Sequence, residues 1–269
     1  MKNVNKVAVL GPKGTFTEIA ARRVFSSIEV IYCDSVSDVF DAVDNGIEFG
    51  VVAIENSLEG SVNTTMDCLI EYNMKIHGEV ILDINLCLLA PSETRKEDIK
   101  VLISHPHALA QCKKFLRRNY PDARLQRHES TAAAMKELSE LSSGEYAAIG
   151  PKEAADLYNL EILSTNIEDA PSQTRFIVIS RKESGGDKTS IIFALKDEPG
   201  SLYHILGDFA ERNINLTKIE SRPSRRKLGE YFFFVDLKGS LSDERVKDAL
   251  DAIKEKTTFL KILGSYQQA

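Results

Sequence analysis

The sequence predicts an α/β protein of two parallel-sheet lobes, followed by a ferredoxin-like module of βαββαβ order. Three observations carry this expectation. Short apolar runs alternate with segments of helical period through the first 150 or so residues, the pattern of βαβ units. One more apolar run, 174–180, follows this series and is placed to return to the first lobe. A charged, glycine-bearing stretch then separates these elements from six more.

Taken in order, a strand at 7–10 leads to a helix at 18–25. A strand at 29–32 leads to a helix marked by Val36, Val39, Phe40 and Val43, and a strand at 50–54 closes the first series. The stretch 76–90 reads as extended. A second series follows, with strands at 101–104, 125–128 and 146–149 and helices starting near His107 and at Thr131. If strand 174–180 rejoins the first lobe, the second lobe is an insertion and a cleft lies between them. The expected boundaries are about 1–77 with 170–181 for lobe one, about 78–169 for lobe two, 182–188 for a linker and 189–269 for the module. Within the module, strands at 189–195, 216–221, 230–237 and 259–266 accompany helices at 201–211 and 243–256. Val246, Ala249, Leu250 and Ile253 keep the spacing of a helix face packed on a sheet.

Composition narrows the function. The chain has 269 residues, 43% of them hydrophobic, enough for at least one substantial core and a prior of two domains. Its 34 basic and 40 acidic residues are dispersed and sum to −6, so no basic stripe tracks a phosphate backbone and no nucleic-acid partner is expected. The apolar run 7–10 is too short for a secretory segment or a membrane span, so the expectation is a cytoplasmic protein without membrane association. Cys33, Cys68, Cys87 and Cys112 form no CxxC pair, so neither a disulfide nor a zinc site is expected.

Four places carry chemistry-bearing residues. Gly11-Pro-Lys-Gly-Thr-Phe-Thr-Glu18 follows a strand and opens a helix, with Thr15 and Glu18 at capping-box spacing. Its backbone N–H groups suit a carboxylate, although the same sequence serves an ordinary capped turn. Ile54-Glu-Asn-Ser-Leu-Glu-Gly-Ser-Val62 lies at the carboxyl end of a strand, where open α/β sheets bind ligands; a polar loop capping the next helix is the plainer reading. Ser104-His-Pro-His107 occupies the equivalent place in the second lobe, with histidines able to bind an anion, act as acid or base, or simply cap. Thr174-Arg175-Phe176 supplies a hydroxyl and a planar cationic fork at the start of a strand. In the module, Glu198-Pro-Gly-Ser-Leu202 joins strand to helix and Glu220-Ser-Arg-Pro223 ends a strand; each is consistent with a turn.

In this order and spacing, GPKGTF, IENSLEGSV, SHPHALAQC, TRF and ESRP resemble the prephenate dehydratase family with a C-terminal ACT domain, over essentially the whole chain. The expected form is monofunctional, since nothing helical of the size of a chorismate mutase precedes Val7. The resemblance implies a periplasmic-binding-protein-like catalytic region with the site in the interlobe cleft. The reaction it implies turns prephenate into phenylpyruvate, water and carbon dioxide without redox or metal cofactor. By the same resemblance Thr174 donates to the leaving hydroxyl. Arg175 holds a carboxylate or pairs with Glu55, and Phe176 packs on the substrate ring or fills the core. Asn56, Ser57, Gly14, Thr15, Phe16, Ser104 and His105 complete the substrate site. Phenylalanine is the implied effector, bound where ACT domains pair and touched by Gly200, Ser201, Leu202, Asn215, Leu216, Glu220, Ser221, Arg222 and Pro223 of a homodimer or homotetramer. Two positions depart from the family pattern: His107 stands for a usual glutamine and Ser201 for a usual alanine. The rival readings are an arogenate dehydratase and a two-lobed solute-binding protein without chemistry.

Overall fold

In a computed structural model, which describes residues 5–141, 143–225, 227 and 229–269, the predicted alternation is present. The first series is β1 (Asn5–Leu10), α1 (Phe16–Val24), β2 (Ile28–Cys33), α2 (Val36–Asp44), β3 (Phe49–Asn56), the two-residue β4 (Gly60–Ser61), α3 (Asn63–Glu71) and β5 (Lys75–Asp83). The second is β6 (Cys87–Ala90), β7 (Val101–Ser104), α4 (Pro106–Gln111), α5 (Lys113–Asn119), β8 (Arg124–Arg127), α6 (Thr131–Glu140), β9 (Tyr146–Gly150), α7 (Ala154–Tyr158) and β10 (Glu161–Ser164). Then come β11 (Gln173–Ser180), β12 (Lys188–Ala194), α8 (Ser201–Glu211), β13 (Leu216–Pro223), β14 (Tyr231–Lys238), α9 (Glu244–Lys254) and β15 (Phe259–Tyr266).

The first sheet runs β2-β1-β3-β11-β5, with β4 paired to β3. The expected return strand therefore lies between β3 and β5. The second sheet runs β10-β6-β9-β7-β8. It is mixed, because β6 pairs antiparallel with both β9 and β10, whereas β7 is parallel to β8 and β9. The reading of 76–90 as one extended stretch is corrected here: the chain breaks at 84–86 and joins two sheets without a crossover helix, which leaves β6 free to run antiparallel. The outgoing and returning connections lie side by side, with Ile84 N–H donating to Ser172 O (2.8 Å) and Ile167 N–H to Leu86 O (3.0 Å).

Among the described residues, those up to 39, 51–62 and 81–176 form one compact unit; those in 40–50, 63–80 and 177–269 form the other. In the first, β7 and β9 are buried on both faces and hold Ile103 and Ala148 against Met135 and Leu138 of α6. That helix starts where Ser130 caps it, its hydroxyl accepting the Ala133 N–H at 2.9 Å. In the second unit the sheet β13-β14-β12-β15 packs Ile191, Phe193 and Val235 against Ile205 and Phe209 of α8 and the predicted stripe of α9. No helix among the described residues is long and apolar enough to cross a membrane.

Phe209 is 1% exposed within this cluster. Phe209→Ala is expected to lower stability by about 3–5 kcal/mol through lost burial and a residual cavity, read as a shift in urea midpoint; a loss below about 1 kcal/mol would contradict the packing described.

Candidate active site

Four segments of the first unit carry the candidate catalytic residues. Strand β3 ends in Glu55 and Asn56, and the chain turns there because the Asn56 side chain caps the turn. Its Oδ1 accepts the N–H groups of Leu58 (2.9 Å) and Glu59 (3.0 Å). Two backbone donors on Oδ1 fix the amide orientation, so Nδ2 faces the neighbouring strand and donates to Thr174 Oγ1 at 2.9 Å. Ser57 and Gln173 bond reciprocally, Ser57 N–H to Gln173 O (2.8 Å) and Gln173 N–H to Ser57 Oγ (2.9 Å). Gln173 Nε2 reaches Asp83 Oδ1 on β5 at 2.8 Å. Arg175 Nη1 lies 3.8 Å from Glu55 Oε2, with the arginine side chain 10% exposed. Glu55, Asn56, Ser57, Thr174 and Arg175 thus form one constellation at the junction of β3 and β11. Phe176 is 2% exposed, a core residue whose contribution is packing.

The β1–α1 turn is built differently from its sequence expectation. Thr15 caps α1, its hydroxyl accepting from Glu18 N–H (3.3 Å) and donating to Leu10 O (3.0 Å). The reciprocal arm of the capping box reaches one residue further back, since Glu18 Oε2 accepts the Gly14 N–H at 2.8 Å. That N–H is therefore already taken by a carboxylate of this chain. Arg22 Nε holds the other oxygen of Glu18 at 2.8 Å. Burial pushes the Glu18 carboxyl up, but the Gly14 N–H, Arg22 and Tyr32 outweigh it and hold its pKa below the ordinary value. Tyr32 is pushed up to about 12, first by burial and then by Glu18. Gly14 itself has φ +87°, and a Cβ there would lie 3.0 Å from Leu157 Cδ2 and 3.2 Å from the Tyr158 ring. The Tyr158 hydroxyl donates to Lys13 O. Glycine is required here by close approach to α7, and Phe16 follows half-buried in the first turn of α1.

In the second lobe Ser104 is fully buried and its hydroxyl donates to Ile149 O at 2.6 Å, tying β7 to β9. His105 caps α4 through Nδ1, which accepts the His107 N–H at 3.3 Å. Burial, then the adjacent His107, lowers the His105 pKa. That shift favours the neutral ring, in which Nδ1, accepting from the His107 N–H, leaves Nε2 as the donor. His107 Nδ1 lies 3.9 Å from Glu59 Oε2, which brings the loop after β3 beside the start of α4.

In the second unit, Gly200 takes φ +85° at the N-cap of α8, and Ser201 and Leu202 line a cavity of about 150 Å³ with Asp197, Glu198 and Tyr231. Leu216 packs partly against the core of this sheet, and Asn215 O accepts the Lys238 N–H at 2.9 Å. On β13, Glu220 pairs with Lys218 at 3.1 Å and Pro223 pairs with Tyr231 at the strand's end. Ser221 is exposed, whereas the Arg222 guanidinium is buried against Asp67 of α3.

A prephenate dehydratase family model matches residues 7–184 and an ACT domain model matches residues 189–255. The chain belongs to the prephenate dehydratase family. Prephenate dehydratase of Methanocaldococcus jannaschii is 45% identical over 95% of each chain. The crystal structure of the Arthrobacter aurescens prephenate dehydratase in complex with L-Phe superposes with a TM-score of 0.89 at 37% identity, covering 97% of this chain and 90% of that one. GqqA, described as a quorum quenching acylase, also superposes with a TM-score of 0.89, at 28% identity over 98% of both chains.

Gln173 and Asp83, which brace the start of β11 in this prephenate dehydratase fold, stand outside the motifs read from its sequence. Glu59 and Glu18 lie inside those motifs without a site role assigned to them: Glu59 faces His107, and Glu18, whose capping-box spacing pointed to Thr15, bonds Gly14 instead. Because its carboxyl is held below the ordinary value, Glu18 contributes stability at neutral pH that is lost as pH falls through its lowered folded pKa. The stability advantage of the parent over Glu18→Gln is therefore expected to shrink as pH is lowered from about 6 to about 3. Denaturant midpoints across that range test it; a constant difference would refute the assignment.

Proposed function

We infer that this chain converts prephenate to phenylpyruvate, water and carbon dioxide, with phenylalanine acting through the ACT domain. The observation that carries the reading is the hydrogen bond from Asn56 Nδ2 to Thr174 Oγ1. A hydroxyl that accepts from an amide keeps its own proton free to donate, here toward the departing ring oxygen. In the reaction, the electron pair of the bond to the ring carboxylate moves into the ring, carbon dioxide departs, and the hydroxyl at the opposite ring carbon leaves as water once protonated. Aromatisation drives the step. An alcohol is a weak general acid at neutral pH, so Thr174 stabilises the leaving oxygen through its hydrogen bond and relays a proton supplied from water or another side chain. Arg175, oriented by Glu55, binds a substrate carboxylate with its fork. Ser57, the Gly14–Phe16 turn and neutral His105 line the same cleft in this reading, and Ser104 supports it from the β7–β9 pairing. The Gly14 N–H is engaged by Glu18, so the turn shapes the cleft and Arg175 supplies the cation.

The same donor geometry argues against acyl transfer, in which a base would have to accept the nucleophile's proton. Residues 1–181 form the catalytic region in this proposal, with lobe one about 1–77 and 170–181, lobe two about 78–169, a linker at 182–188 and the regulatory domain at 189–269. The protein acts in the cytoplasm as a homodimer or homotetramer, the ACT domains pairing around phenylalanine at Gly200–Leu202 and the neighbouring residues of β13.

Turnover of prephenate and of arogenate, with and without phenylalanine, tests the substrate and the effector together. Thr174→Val is expected to lose roughly two to four decades of kcat and Thr174→Ser to keep most of it. A valine variant within a few fold of the parent would sink the role of the hydroxyl. Asn56→Asp replaces the donor with an acceptor that captures the Thr174 proton. Its kcat is expected to fall about as far as that of Thr174→Val, and an unchanged or raised kcat would reverse the assignment. Arg175→Lys, which keeps the charge but loses the fork, is expected to raise KM about tenfold or more; an unchanged KM would leave Arg175 as a structural partner of Glu55.

A further inference from the structure

Residues 63–80, which carry α3 and the start of β5, belong to the same compact unit as residues 177–269. Polar bonds made by Lys188 at the start of β12 and by two segments of the regulatory domain hold them there. Lys188 Nζ bonds both oxygens of Glu79, at 3.1 and 2.9 Å, in a buried pair. Lys261 Nζ donates to the carbonyls of Ile70 (3.0 Å) and Tyr72 (2.5 Å) at the end of α3. At the start of α3, Arg222 donates from Nε to Asp67 Oδ1 (2.6 Å), from Nη2 to Asp67 Oδ2 (2.7 Å) and from Nη1 to the side-chain oxygen of Asn63. Arg225 adds a second cation 3.0 Å from Asp67 Oδ2.

Arg222 differs from the other anchors in two respects. It lies on β13 within Glu220–Pro223, the stretch assigned to the effector, and all three of its guanidinium nitrogens point at α3. Its side chain is 9% exposed. Asn63, which it grips, follows Val62 directly, and Val62 N–H closes the Asn56-bearing loop by bonding Ile54 O at 2.8 Å. A planar fork filled on every nitrogen has one rigid geometry, so a shift of β13 moves the start of α3 with it.

We propose that Arg222 is a positioning residue that acts on the substrate cleft through α3, carrying effector occupancy to the Asn56 loop, and is not itself a ligand of the effector. The inference rests on the reading of phenylalanine as effector. Effector binding alters turnover only if it favours one of two arrangements, and the Arg222 clamp on Asp67 and Asn63 is the element whose position both sites share.

The test separates effector binding from effector response in the full chain. Calorimetry gives the Kd for L-phenylalanine, and initial rates give the prephenate KM and the phenylalanine inhibition profile, for the parent, Arg222→Lys, Asp67→Asn and Asn63→Ala. Each variant is expected to bind phenylalanine within about threefold of the parent, while the factor by which phenylalanine changes prephenate turnover falls at least about fivefold, the lower end of ordinary allosteric coupling. If Asp67→Asn does not fold, Asn63→Ala removes only the third bond and carries the test. A variant that loses phenylalanine affinity about tenfold makes Arg222 or its partners part of the effector site and overturns the proposal. Unchanged binding with unchanged coupling overturns it as well. A parent that neither binds phenylalanine nor responds to it sinks the effector reading, and this inference with it. A responsive parent with equally responsive variants sinks the inference alone.

Discussion

The candidate catalytic constellation depends on a strand arriving late. Strand β11 enters the first sheet between β3 and β5, and the Asn56–Thr174 bond it makes spans 118 residues of sequence. With β11 in place, Gln173 is tied to Ser57 and Asp83, Thr174 lies against Asn56, and Arg175 faces Glu55. Such pairing closes a long loop and is costly in chain entropy, which the buried run Phe176–Ile179 offsets by packing in the core. The second sheet is inserted between the departure of β5 and the return of β11, and the two connections are bonded side by side.

Polarity in the site is set by who donates to whom. Asn56 has its oxygen filled by two backbone N–H groups, so its nitrogen has a single direction, and the threonine hydroxyl becomes an acceptor with a spare proton. At the β1–α1 turn the reverse holds: Glu18 already answers the Gly14 N–H, and Thr15 uses its hydroxyl in both senses. Two turns that look alike in sequence, each polar and each at the carboxyl end of a strand, therefore differ in what they offer a ligand.

The regulatory domain is bonded to residues well before it in the chain. Glu79, Asp67, Ile70 and Tyr72 all take bonds from residues after 187, and the buried Lys188–Glu79 pair belongs to a small network in which Lys188 Nζ also lies 3.8 Å from Asp236 Oδ2 and Glu79 Oε1 also accepts the Ala269 N–H at 3.2 Å. The segment 63–80 is consequently shared, by chain connection to the loop that bears Asn56 and by packing to the ACT sheet.

Local pattern determined much of this protein. The alternation of strands and helices, the caps at Thr15 and Ser130, the α9 stripe and the βαββαβ order are set by near neighbours, and their periods are visible in the sequence. The ordered motifs also named Asn56, Thr174 and Arg175 as candidates, and these lie together in the fold. Helix α3 was expected only as the helix after the Ile54–Val62 loop and was given no bounds, and its anchors Asn63 and Asp67 carry no motif because their meaning lies in Arg222, more than 150 residues away. The same limit applies to Gln173 and Asp83, to the mixed pairing of β6, and to Glu18 reaching Gly14. Sequence spacing specifies which groups are available along one element. Which of them meet, and in which direction each hydrogen bond runs, was decided by the strand order that closes the first sheet.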